Sequence, residues 1–324
     1  MSKKLSIIVP VYNVESYLRE CLCSLYDQRL SLDQFEVIIV NDGSTDGSLQ
    51  IAKEFTDLYQ NILLIDQTNK GLGYARNVGL DQSNGEYILF VDSDDYLFKD
   101  SLFTIIMDLD KIDMLAYKVR SVGLSDKLYT QKWLPYGKTI SGDSFLSRIT
   151  PQAIVQSYIY RRQWLNDNSI RMPEGILHED ELFIPLSISK AQSIKFVDKE
   201  VYAYRVREGS ITTKRSMDHL ELSMRDRLVV ISCLCDYCRE IQDNSLKGGI
   251  KRKISFLTID VIRLLYRYNF PIDRREFYLL QLRDLGIFPL KLRLYSLKYL
   301  FFALLVNNNY IRKAVERTPF PTFF

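Results

Sequence analysis

Apolar residues gather in short continuous runs over the first hundred positions, with amphipathic stretches between them. The runs are Leu5-Ser6-Ile7-Ile8-Val9, Phe35 to Val40, Ile62 to Ile65 and Tyr87-Ile88-Leu89-Phe90-Val91. Each has the length of a buried strand. Between the first two, Glu15 to Gln28 sets Leu18, Cys21, Leu22 and Leu25 at helical spacing, and Leu49 to Leu58 and Tyr74 to Leu80 read as further helices. This alternation predicts an α/β fold, a mostly parallel sheet wound on both faces by helices. Right-handed crossovers bring the loops at the strand carboxyl ends to one rim, where open sheets of this kind take ligands.

Past Leu97 the pattern is less regular. Asp113 to Val119 and Val201 to Val206 read as strands, and Tyr158-Ile159-Tyr160 leads into a short helix, Arg161 to Asn166. Glu179 to Ser189 reads as a helix with Leu182, Phe183 and Leu186 inward. From about Asp218 onward helical patterns dominate, with expected breaks at Gly248-Gly249, Pro271 and Pro289. The division this suggests is an α/β domain over 1–215 and a helical region over 216–324.

Charge sharpens that division. The whole chain has 43 Lys and Arg against 40 Asp and Glu, but Leu246 to Phe324 has 15 against 5. A basic end on an acidic body suits a polyanion or an anionic membrane surface. Basic and apolar residues mix over Ile254 to Tyr268 and Leu290 to Val306, either as helices with basic outer faces or as a peripheral membrane patch. These helices could also pair two chains into a homo-oligomer, and nothing in the charge pattern calls for nucleic acid. Five cysteines, an odd number, with no fourth Cys or His near Cys233, Cys235 and Cys238, read as free thiols of a reducing compartment. Lys3-Lys4 precedes too short an apolar run for a signal peptide, and Tyr299 to Val306 is too short to span a bilayer. The expected location is the cytoplasm, against the inner face of the membrane where the basic helices reach it.

The rim loops carry the candidate chemistry. Asp92-Ser93-Asp94 follows a strand directly, and two carboxylates there suit a divalent cation that also holds a diphosphate. Tyr12, just past Pro10, can stack on a flat base or pack on the sheet edge. Asp42 can accept from a pyrimidine N–H or cap the next helix. In Gly71-Leu72-Gly73 the glycines allow close backbone approach, and Arg76 can meet a nucleotide or structural acids. The G-K-[ST] ending and the G-x-G-x-x-G fingerprint are both absent. Glu179 and Asp180 begin a helix, either as acids favoured by its positive end or with one acting as general base. Arg205 and Arg207, followed by Ser210, suit a diphosphate or form a solvated strand edge.

Together these segments resemble the family 2 glycosyltransferases. The resemblance rests on Ser6 to Asn13, Val40 to Asp46, Asn69 to Asn77 and Phe90 to Asp95 in order, with His178 to Phe183 and Tyr204 to Thr212 resembling the later motifs of the bacterial polysaccharide and teichoic-acid branch. It covers roughly Leu5 to Thr213. It implies a GT-A fold, a UDP-sugar donor, Mn2+ or Mg2+, a glycan or lipid-linked glycan acceptor, and inversion at the anomeric carbon. It further implies Tyr12 on the uracil, Asp42 at its edge, Arg76 nearby, Asp92 at the ribose and Asp94 at the metal. Asp180 would be the base with Glu179 in support, and Arg205, Arg207 and Ser210 would close over the diphosphate. Pro10 and Ser93 complete the implied donor-contacting set.

Two other classes fit these residues less well. A sugar-phosphate nucleotidyltransferase usually needs a Gly-rich basic loop after the first strand, which Pro10 to Asn13 does not supply. A non-catalytic nucleotide-sugar-binding subunit would have no need of Asp92, Asp94 and Asp180 together.

Overall fold

A computed structural model describes residues 3–123, 128–129, 134–206 and 216–308. They separate into two compact units, one of residues 1–145 with 152–214 and one of residues 146–151 with 215–324.

The first unit opens with β1 (Leu5–Val11), α1 (Glu15–Tyr26), β2 (Phe35–Asp42), α2 (Ser48–Leu58), β3 (Ile62–Gln67), α3 (Leu72–Asp81) and β4 (Tyr87–Phe90). Strands β1, β2 and β4 are buried almost throughout, as their unbroken apolar runs require for a sheet covered on both faces. They pair in parallel in the order β3-β2-β1-β4. Register brings Val11 level with Asn41 and Ile8 level with Phe90, so the loops after β1, β2 and β4 leave the sheet together. Helix α1 buries Leu18, Cys21, Leu22 and Leu25, the stripe its spacing predicts.

Pro10 lies near the end of β1 although proline cannot donate to a ladder. The Ile8 carbonyl accepts from the Val91 amide, and by alternation Pro10 faces that same side, past the end of β4. No amide is needed there.

The sheet is mixed rather than mostly parallel. It continues through β5 (Tyr96–Leu97), β6 (Met114–Gly123), β7 (Leu128–Tyr129), β8 (Thr139–Ile140), β9 (Tyr158–Arg161) and β10 (Ile194–Val206), in the order β4-β9-β6-β10-β5. Strand β9 runs antiparallel to both β4 and β6, whereas β6 and β10 are parallel. Helices α4 (Gly142–Arg148), α5 (Arg162–Asp167) and α6 (Asp180–Lys190) lie along this half of the chain.

The second unit is helical: α7 (Met217–Glu240), α8 (Asn244–Arg267), α9 (Ile272–Asp284) and α10 (Leu297–Asn307). Helix α8 runs straight through Gly248 and Gly249, where a break was expected. Gly249 serves close approach: a β-carbon there would lie 2.4 Å from the Leu146 carbonyl oxygen. Packing of two backbones, not a turn, selects the residue. The five cysteines are free thiols. Among the described residues no helix is long and apolar enough to cross a membrane.

Candidate functional site

The rim is built around α3 and the DSDD segment. Arg76 sits inside the fold, 2% exposed, and its guanidinium forks. Nη2 donates to Asp92 Oδ1 at 2.7 Å, and Nη1 donates to Glu179 Oε1 at 2.5 Å. Of the two readings open for Arg76, the structure shows it meeting acids. Burial pulls its guanidinium down, but the charges of Asp92 and Glu179, with Asp180 behind them, outweigh that and raise it overall. The fork ties the carboxyl end of β4 to the start of α6, so Asp92 and the Glu179-Asp180 pair belong to one neighbourhood. The other Asp92 oxygen accepts from the Gln156 side-chain amide.

Residue Asn77 fastens the same helix to the segment before α6. Its Nδ2 donates to the Met172 carbonyl at 3.0 Å and to Glu174 Oε1 at 2.8 Å, and its Oδ1 accepts from the Met172 amide at 2.9 Å. At Gly73 a β-carbon would fall 2.3 Å from the Pro173 carbonyl oxygen, so only glycine lets α3 lie this close. Between these fastenings and Glu179 the backbone turns through positive φ at Gly175 (71°) and His178 (65°). The second is costly for a residue with a β-carbon. Asp180 and Glu181 then stand in the first turn of α6, at its positive end.

Of the two readings open for Asp42, capping of the next helix is not what its hydrogen bonds within the chain show. Helix α2 takes no side-chain cap at Gly47, and it is Asp46 that binds the Ser48 and Glu15 amides. Asp42 is buried and accepts from the amides of Lys70 and Gly71 and from Gln67 Nε2, at 2.8–2.9 Å. It shapes the loop after β3 from below. Tyr12 is 50% exposed at the end of β1, so its ring is not packed away on the sheet edge.

Asp92 and Asp94 are half-buried, while Ser93 and Asp95 are buried. Asp95 accepts from the Tyr202 hydroxyl at 2.6 Å and from the Arg205 amide at 2.7 Å. The same hydroxyl accepts from the Asp92 amide. Burial first, then the neighbouring charges of Asp92 and Asp94, push the Asp95 carboxyl up to about 8. Arg205 donates through Nε to the Asp94 carbonyl and through Nη2 to Glu20, and it lies over the rings of Tyr17 and Tyr96. It is thus bound to the same segment as the acids. Arg207 and Ser210 lie outside the described residues.

A divalent cation here would find hard oxygen donors. Arg76 and Gln156 engage the two Asp92 oxygens, and Asp94 is half-buried beside it. Among the described residues no three His, Cys, Asp or Glu side chains converge on one point. One carboxylate with diphosphate oxygens and water fits Mn2+ or Mg2+, since such ions are often held by one or two carboxylates plus substrate phosphates.

Gln156, Tyr202, Asn77, Gly73 and Asp95 were not among the site residues read from the sequence. Asp95, Asn77 and Gly73 fall inside motifs that were, and Tyr202 stands just before one. Gln156 had no signal, because only the pairing of β9 with β4 brings its neighbourhood to Asp92.

The chain is similar to several known proteins. The family model described as glycosyl transferase family 2 matches residues 6–168. Glycosyltransferase GlyA of Streptococcus pneumoniae is 32% identical over 71% of this chain and 35% of its own length. The poly(ribitol-phosphate) β-N-acetylglucosaminyltransferase TarS of Staphylococcus aureus is 32% identical over 78% of this chain and 44% of its own length. The chain thus spans less than half the length of either relative. Among solved structures, S. aureus TarS 1–349 in complex with UDP-GlcNAc superposes with a TM-score of 0.71 at 27% identity, covering 88% of this chain and 81% of that one.

Proposed function

The chain belongs to glycosyl transferase family 2, and on that footing we propose that it moves a hexose or N-acetylhexosamine from a UDP-sugar to a hydroxyl of a growing bacterial surface glycan. Capsule, exopolysaccharide, O-antigen and teichoic acid are the acceptor types in view, presented free or lipid-linked. The observation that carries this reading is the Arg76 fork. It joins Asp92 to the helix that begins at Asp180, so a donor-binding acid and a candidate base belong to one site. The TarS complex with UDP-GlcNAc supports the choice of donor.

In this reading Tyr12 stacks on the uracil, Asp42 meets its edge, and Asp92 meets the ribose. Pro10 and Ser93 shape the backbone around the nucleoside. Asp94 would hold Mn2+ or Mg2+, which when bound offsets charge on the leaving diphosphate. Arg205, with Arg207 and Ser210, is assigned to the diphosphate by the same resemblance.

Asp180 accepts the proton of the acceptor hydroxyl as that oxygen attacks the anomeric carbon. The bond from carbon to the diphosphate oxygen breaks, and its electron pair leaves with UDP. One displacement inverts the centre, so no enzyme nucleophile is needed. A base opposite the leaving group is the arrangement that inverting glycosidases also require. Glu179 and Arg76 act by positioning, because each is bonded to the other.

UDP release measured over a panel of UDP-sugars, with and without Mn2+, tests the reading. Release from one sugar, raised by Mn2+, is expected. No release from any of them, with no binding of UDP, would overturn it.

A further inference from the structure

Helix α10 is apolar on both sides. Tyr299, Phe302, Ala303 and Val306 fall on one side and are buried. Half a turn round, Leu297, Phe301 and Leu304 remain 79%, 53% and 50% exposed. A helix apolar all round belongs in a core or in lipid, and here the second face leaves Leu297 and Leu304 exposed to solvent. The strap before it repeats the contrast: Leu292 and Leu294 are exposed, while Lys291, Arg293 and Tyr295, which alternate with them, line a cavity of about 400 Å³.

That cavity lies within the helical unit, and Arg239, Lys247 and Lys251 line it as well. No Asp or Glu lines it among the described residues. Arg239 is engaged by Asp236 and Lys247 by the Ile241 carbonyl. The strap is fixed rather than loose. The Asn307 side chain bonds both the amide and the carbonyl of Leu290, and the Tyr299 hydroxyl donates to the Lys291 carbonyl. From Leu285 to Asn308 the chain has no acidic residue, while Lys291, Arg293 and Lys298 alternate with the exposed leucines.

We propose that this strap and helix dock on an anionic membrane, the leucines entering the interface while the cavity receives the phosphate of an anionic phospholipid headgroup. Charge selects the occupant. A second copy meeting the same surface across a twofold axis would set these cations against their own images, whereas an anionic bilayer complements them. Exposed apolar area and basic charge are the two contributions that bind interfacial helices. The inference deepens the view of a lipid-linked acceptor and rests on it only there. Its test needs no turnover, so its failure and that of the transferase reading are distinguishable.

The test is flotation of the full chain with phosphatidylcholine vesicles, with and without phosphatidylglycerol. Binding is expected only where phosphatidylglycerol is present. The exposed double variant Leu297→Glu/Leu304→Glu should lower the bound-to-free ratio about tenfold or more, with an unchanged circular dichroism spectrum. The variants Lys291→Ala and Arg293→Ala should each lower it about fivefold. Equal flotation on neutral vesicles, or equal flotation of the double variant, would overturn the proposal. So would a concentration-dependent dimer in sedimentation that the leucine substitutions abolish while leaving flotation unchanged.

Discussion

Arg76 and Glu179, 103 positions apart in the chain, share an ion pair 2.5 Å long inside the fold. Asp92 takes the other arm of the same guanidinium at 2.7 Å. Truncation to Arg76→Ala would leave carboxylates facing each other with no cation between them. Removing one member of a buried pair costs about 3–5 kcal/mol. Urea unfolding should show a loss of that order, and a loss under about 1 kcal/mol would mean the fork is not a structural link.

Asp180→Asn should abolish transfer while UDP binding persists. A general base contributes about 10²–10⁴ in rate, and the side chain keeps its size. Turnover within a few-fold of the parent, alongside unchanged UDP affinity by calorimetry, would remove Asp180 from the chemistry.

Asp94→Asn addresses the cation. The variant should require far more Mn2+ for activity, about tenfold or more, and chelation should abolish what remains. An activity curve against Mn2+ that matches the parent would move the ligand elsewhere.

Gly73→Ala should damage transfer more than its single methyl suggests. The added carbon must displace the Pro173 carbonyl, which it would meet at 2.3 Å. That segment leads into Glu179 and Asp180. A shift of about 1 Å in a catalytic group can cost about 10²-fold. Comparing kcat with UDP affinity would locate the effect: kcat should fall while UDP affinity holds, and full kcat would show that the approach of α3 is incidental.

Adjacent glycines of α8 should respond in opposite directions. Gly248 has nothing within 4 Å of a built β-carbon, so Gly248→Ala should stabilise the chain by about 0.5–1 kcal/mol through helix propensity. Gly249→Ala should destabilise it, because its β-carbon would meet the Leu146 carbonyl at 2.4 Å. Melting temperatures that move the same way would contradict the packing described here.

The first four strands and the rim they form were legible because each is an unbroken apolar run with turn residues after it. So was the stripe of α1. The antiparallel insertion of β9 between β4 and β6 was not, since strand order is set by pairing between distant segments and leaves no local pattern. Arg76 was read as meeting either a nucleotide or acids, and that it meets Asp92 and Glu179 depended on the fold bringing them to it. For Asp42 the sequence left a ligand contact and a helix cap both open, because the Asp-Gly-Ser-Thr-Asp cluster offers several caps, and the geometry assigns the capping work to Asp46. The break expected at Gly248-Gly249 failed for another reason. Glycine marks close contact as readily as it marks a turn, and sequence alone does not separate the two.

Neighbouring residues of α3, Arg76 and Asn77, hold the two ends of the stretch from Met172 to Glu179. The stretch between them runs from one tie to the other and turns through positive φ at Gly175 and His178. In the proposed reading it leads to Asp180 on the acceptor side, so substitutions at positions 175–178 should change which acceptor is taken while both ties hold.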